Sequence, residues 1–149
     1  MRCTCHLMKN GNVIIPTVGK LVGGPHWATE PVSVVPASDS QALRAAFRET
    51  IARGTPIIPR DSSLTANRDR PAILKYAGVK SIPAFQRSTR TWSLNERGGS
   101  YEIAGLKEKE GYHGGKVTDP EQVEKFPPGT SVDAVIDRMI SILQSAAKG

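Results

Sequence analysis

The sequence predicts an α+β fold: a single domain over residues 1–149, with a mixed sheet that includes an antiparallel three-stranded meander, packed by amphipathic helices and closed by a C-terminal helix. Three observations carry the prediction. Residues 126–143, FPPGTSVDAVIDRMISIL, keep a helical period behind a proline stop. Residues 90–106 change to a period of two around a Gly-Gly pair, and two short apolar runs fenced by prolines flank a second helical pattern.

Taken in chain order, NVIIPTV at 12–18 is β-branched but broken by Pro16, which predicts a short or edge strand. KLVGGPHWATEP then reads as loop, so residues 1–30 are expected to enter the domain partly as loop. PVSVVP at 31–36 is a short strand, and Ser38 with Gln41 forms a capping-box pattern opening a helix over about 39–53. Leu43, Phe47, Thr50 and Ile51 define its buried face, and Gly54 ends it. TPIIP supplies another strand, which would complete a βαβ unit if the two strands were parallel neighbours. The polar stretch 60–71 reads as an exposed loop bearing Arg60, Arg68 and Arg70; ILKYAGV gives a turn or two of helix before Gly78, and IPAF a short turn around Pro83.

RTWSLNE sets Trp92 and Leu94 on one face and Thr91, Ser93 and Asn95 on the other; SYEIAGL treats Tyr101 and Ile103 likewise. With Arg97, Gly98 and Gly99 between them, the two runs predict a hairpin. A charged tip and a third strand lead to Phe126. In the closing helix, Thr130 or Ser131 caps the N-terminus and Asp133 suits the macrodipole. Val132, Val135, Ile136, Met139, Ile140, Leu143 and Ala146 form its apolar stripe, with Asp137 and Arg138 opposite.

Composition narrows the function classes. Apolar residues make up 38% and charged residues 23%, so the chain has the material for a core. It has no apolar run long enough to span a bilayer and no secretory h-region, which gives a cytoplasmic expectation without membrane partners. The net charge of +6 is uneven: residues 1–90 hold 13 Lys/Arg against 5 Asp/Glu, and the remainder 7 against 9. A basic half attracts nucleic acid or acidic protein, or is simply solvated.

Cys3 and Cys5 are too close for an unstrained disulfide, and CTCH departs from the usual zinc spacing, so free thiols on a frayed N-terminus are expected, with no metal. No Walker A, GxGxxG, HExxH or GxSxG motif is present, and His6, His26 and His113 stand outside any motif. His113, in GYHGGK, is the histidine weighed as a general base, beside meander carboxylates that include Glu121 and Glu124; an exposed loop histidine and a charged hairpin surface are the ordinary explanation of both. The expectation is a non-enzyme without cofactor. A small basic nucleic-acid-binding regulator stands second: Arg44 and Arg48 share a helix face, and Arg60, Arg68 and Arg70 follow, but no aromatic residues interleave them.

LKYAGVKSIPAF (74–85), the RTWSLNERGGSYEIAGL hairpin, DPEQ (119–122) and FPPGTSVDAVIDRMISILQSAA together resemble bacterial contact-dependent growth inhibition (CDI) immunity proteins. The resemblance implies a small cytoplasmic protein that binds, one to one, the C-terminal toxin domain of a cognate surface effector, commonly a nuclease such as a tRNase, and so protects the producing cell and its siblings. It implies no catalytic residue. Toxin contacts are placed at Tyr76, Lys80, Arg87, Glu96, Arg97, Glu102, Glu108 and Glu110, or else on a basic surface of Arg44, Arg48, Arg60, Arg68 and Arg70 facing an acidic toxin. Gly78, Val79, Phe85 and Trp92 are read as structural.

Overall fold

A computed structural model describes residues 1–59, 72–108 and 116–149; Arg60, Arg68, Arg70, Glu110 and His113, named above as candidates, lie outside the described residues. Hydrophobic alternation begins at once. Residues Arg2–Met8 form strand β1, in which Cys3, Cys5 and Leu7 are buried and their neighbours half-buried. The expected frayed terminus is therefore corrected: reduced cysteine behaves here as a small hydrophobe, and RCTCHLM is a period-two strand.

Strand β2 (Asn12–Leu21) pairs antiparallel with both β1 and β3 (His26–Pro36), so it is interior rather than an edge, and the loop expected over residues 20–31 shrinks to a short turn. Pro16 is accommodated at a register irregularity between Pro16 and Thr17, where a missing N–H breaks no regular ladder. Helix α1 (Ser40–Arg53) follows, and its cap is Asp39, whose carboxylate accepts from Ala42 N at 3.0 Å, rather than Ser38. The two-residue strand β4 (Ile57–Ile58) runs parallel to β2 at Lys20 and Leu21. Because β3 is antiparallel to β2, β3 and β4 point in opposite directions, and the βαβ unit does not form.

Helix α2 (Ile73–Ala77) ends at Gly78 in the left-handed region (φ +69°), and α3 (Ile82–Ser88) is capped by Ser81, which accepts from Ala84 N. Strands β5 (Thr89–Arg97) and β6 (Ser100–Glu108) form the predicted hairpin. Gly98 and Gly99 both hold positive φ, as a two-residue turn between right-twisted strands requires, with Arg97 paired to Ser100. Strand β7 (Lys116–Lys125) completes the meander. The order across the sheet is β3-β2-β1-β5-β6-β7, with β4 beside β2. The N-terminal strand thus joins the β2–β3 hairpin to the meander.

Helix α4 (Val132–Lys148) is capped by Ser131, which accepts from Ala134 N, and it buries Val135, Ile136, Met139, Ile140 and Leu143, the stripe read from the sequence. That stripe and Leu43, Ala46 and Phe47 of α1 pack on the face of the sheet carrying Cys3, Cys5, Leu7, Trp92, Leu94 and Ile103. The opposite face is covered at Ile14 by Ile73, Leu74 and Phe85 of α2 and α3. The fold is α+β, with helices on both faces of one seven-stranded sheet.

Arg44 and Arg48 lie one turn apart on α1 and meet Asp137 and Asp133, one turn apart on α4, at 2.9 Å each. The two pairs form an interhelical seam on the surface. Exposed pairs of this kind contribute about 0–1 kcal/mol each.

Candidate functional site: a basic groove at Arg90

The groove is built from the alternation of β5. Arg90 and Trp92 point toward α4, while Thr89 and Thr91 point to the other face, and the two sides meet at the start of the strand. On the α4 side the Arg90 guanidinium sits 5.2 Å from the Trp92 ring centroid. Trp92 itself is core, as its alternation implied, and only 4% exposed. Gly105 pairs across from it. A Cβ at Gly105 would lie 2.6–2.9 Å from Oε1, Cβ and Cδ of Gln122, so glycine is what lets Gln122 lie over the strand.

Gln122 reaches that place through the DPEQ segment. The pairing of β6 with β7 jumps from Ala104–Val123 to Leu106–Thr118, leaving residues 119–122 bulged opposite Gly105. Asp119 organises the bulge by accepting from Gln122 Nε2 at 2.8 Å and from Glu121 N at 3.1 Å, bonds that hold its carboxyl below the usual range. Ser141, Ile142, Ser145 and Ala146 of α4 form the facing wall, and Arg138, paired with Glu124 at 2.8 Å, stands in it. The groove has a volume of about 420 Å³. Arg90 also lines two further hollows, of about 290 Å³ toward Lys9 and Gly11 and about 150 Å³ toward Lys116.

The smaller hollow rests on a polar chain. Lys116 Nζ donates to Thr89 O at 2.8 Å and to Thr91 Oγ1 at 2.9 Å. Thr91 Oγ1 lies 2.9 Å from His6 Nδ1, so with the hydroxyl accepting from Lys116 its own proton is directed to a neutral imidazole. Burial and the Lys116 ammonium push His6 down to about 3, and Phe85 packs edge-on against the ring at 4.9 Å. Lys116 is lowered by burial, with Glu108 opposing the shift. Gln86 lines this hollow, and its Oε1 is buried with no hydrogen-bond partner among the described residues.

The predicted contact residues that are described stand on several elements. Arg87 and Glu108 line the hollow beside Arg90. Glu96 and Arg97 are exposed at the hairpin tip, and Glu102 pairs across from Lys125. Tyr76 lies elsewhere and donates to the Glu30 carboxylate at 2.9 and 3.0 Å, while Lys75 holds the same carboxylate at 3.1 Å; Lys80 is exposed beyond α2. Tyr76 thus ties α2 to β3. Arg90, Lys116, Gln122 and Arg138 were missed as candidates because their meeting depends on strand pairing. The signals available were Arg90 two residues before Trp92 and the polar DPEQ interruption of an otherwise alternating strand.

The cysteines do no surface chemistry in this arrangement. Burial pushes Cys3 up to about 12, with Arg53 partly opposing, and raises Cys5 well above its ordinary value. Cys3 and Cys5 face α1 and α4 while His6 faces the other side of the sheet, so the three cannot converge on one ion. Among the described residues no group of three potential metal ligands occurs. The folded protein is expected to leave both thiols unreacted with an aromatic disulfide reagent at pH 8 and to yield both after unfolding in guanidinium. Rapid native labelling would show that β1 detaches.

No protein-family model matches the chain, and no curated protein sequence matches it. Among solved structures, the chain is similar to a protein of unknown function from Neisseria meningitidis, with a TM-score of 0.62 and 12% identity over 97% of this chain and 93% of that one. That likeness concerns the fold alone. No helix among the described residues is long and apolar enough to cross a membrane.

Proposed function

We propose that this protein is an immunity protein of the contact-dependent growth inhibition type, binding the toxin domain of a cognate effector and blocking it in a one-to-one complex. The observation that carries the reading beyond the motif set is the groove at Arg90. Two guanidinium groups without an ion-pair partner among the described residues, Arg87 and Arg90, stand on regular elements beside a packed tryptophan and an ordered bulge. Such a site is suited to recognition, because its geometry is set before the partner arrives. The Cys3, Cys5 and His6 side chains are held in uncharged forms and serve packing rather than proton transfer.

The test is calorimetric titration with the purified C-terminal domain of the effector encoded next to this gene, paired with an assay of that domain's toxicity. Binding at nanomolar affinity with loss of toxin activity is the expected result. Full toxin activity in the presence of excess folded protein would refute the reading. The net charge of +6 favours a second one, nucleic-acid binding. It requires affinity that falls steeply and linearly in log–log plots against salt.

A further inference from the structure

We propose that the groove at Arg90, together with the hollow beside it that Arg87 lines, receives an acidic segment of the partner polypeptide, its carboxylates engaging Arg87 and Arg90. The partner's identity rests on the immunity reading; the chemistry of the segment rests on the groove. Of the cations around it, Arg138 is matched by Glu124, and Lys116 faces Glu108 across the β6–β7 ladder. Arg87 and Arg90 have no such carboxylate among the described residues. Planar guanidinium groups take carboxylates in a bidentate fork, and Arg90 is already oriented by the Trp92 ring.

A second observation selects polypeptide over nucleic acid. Stacking of bases, the usual companion of single-strand binding, has no platform here, because Trp92 is buried beneath Arg90. The serine hydroxyls of Ser141 and Ser145 add adaptable hydrogen bonds along the wall.

The probe is a capped glutamate hexapeptide titrated at low salt into ¹⁵N-labelled protein, read at the indole N–H of Trp92 and the Nε–H of Arg90. Trp27, on β3, is the internal reference. Saturable shifts at Trp92 and Arg90 but not at Trp27 are expected, absent with a glutamine hexapeptide and weakened at least about tenfold by Arg87→Glu, an exposed position. Arg90→Gln should do the same; Arg87→Glu serves if loss of the Trp92 contact disturbs folding. The inference fails if the glutamate peptide leaves both signals unmoved, if Arg87→Glu has no effect, or if a thymidine oligonucleotide of equal charge binds the groove as tightly. The toxin domain separates this failure from that of the function. Equal toxin affinity for wild type and Arg87→Glu overturns the groove assignment and leaves immunity standing. Absence of toxin binding to wild type overturns the immunity reading, and the peptide titration still decides what the groove accepts.

Discussion

Replacing Phe47 with alanine is expected to lower the stability of the protein by about 3–5 kcal/mol, measured by urea denaturation followed through far-ultraviolet dichroism. Phe47 is fully buried and is among the largest side chains without solvent contact. Helix α1 gives the core the buried side chains Leu43, Ala46, Phe47 and Thr50, with Ala42 and Ile51 partly buried against them, and the Thr50 hydroxyl donates to Ala46 O at 2.7 Å. Most of the apolar area anchoring α1 to the sheet and α4 therefore belongs to Leu43 and Phe47. The ion pairs to Asp133 and Asp137 cannot compensate, because exposed pairs are worth less than about 1 kcal/mol each. Small domains have roughly 5–15 kcal/mol of stability, so the variant loses at least about a fifth of such a total and more in a marginal one. A loss below about 1 kcal/mol with the fold intact would mean that the core closes over the vacated volume and that α1 is held by something other than this ring. The double variant Arg44→Ala with Arg48→Ala is the control, and it should shift the midpoint far less than Phe47→Ala.

The parts of this fold that were legible in the sequence are those fixed by local chemistry. The Gly98–Gly99 turn announces its hairpin because only glycine takes two successive positive φ angles without strain, and the meander follows from it. The stripe of α4 is seven residues at helical spacing behind Pro127, Pro128 and Gly129, and five of the seven are fully buried. Strand β1 was hidden by a conflict of meanings: Cys3, Cys5 and His6 invite a chemical reading, yet the strand alternates without a break. Pro16 argued for an edge, but the register irregularity beside it absorbs the missing donor inside the sheet. The pairing of β4 with β2 rather than with a parallel β3 depends on where β1 lies, which no window around TPIIP reports.

The candidate site shows the same division. The partners of Arg44 and Arg48 were foreshadowed by Asp133 and Asp137, which repeat their four-residue spacing with opposite charge. The groove at Arg90 and the hollow beside it were not foreshadowed as a whole, since together they join α3, β5, a bulge in β7 and the last turns of α4. Of the predicted contacts, Arg87 and Glu108 line the hollow; Tyr76, Glu96, Arg97 and Glu102 lie apart. Non-local assembly of this kind is where charge counting fails, because a cation's availability depends on which carboxylate the fold brings to it.

Acidification from pH 8 to pH 5 is expected to lower stability through His6. Its imidazole sits between Phe85 and the Thr91 hydroxyl that Lys116 also engages, so a proton there would place an imidazolium one hydroxyl away from an ammonium. Burial first, and Lys116 second, push His6 from 6.5 to about 3. Between those values the unfolded chain binds a proton that the folded one refuses. The neutral imidazole therefore stabilises the fold fully above about pH 6.5, and that contribution is lost as pH falls toward 3. By pH 5 the loss reaches at most about 2 kcal/mol, since the linkage slope cannot exceed ~1.4 kcal/mol per pH unit for one proton. Asp119, whose carboxyl is held low, loses its stabilising charge only below its ordinary 3.8, so the upper window belongs to histidine. His26, also lowered but exposed, acts in the same direction with water to screen it. Urea midpoints of wild type, His6→Gln and His26→Gln across pH 5–8 separate the contributions. His6→Gln should flatten the curve and His26→Gln should leave it nearly unchanged. If wild type and His6→Gln show the same slope, the imidazole takes up its proton in the folded state, and the chain from His6 through Thr91 to Lys116 is open to water.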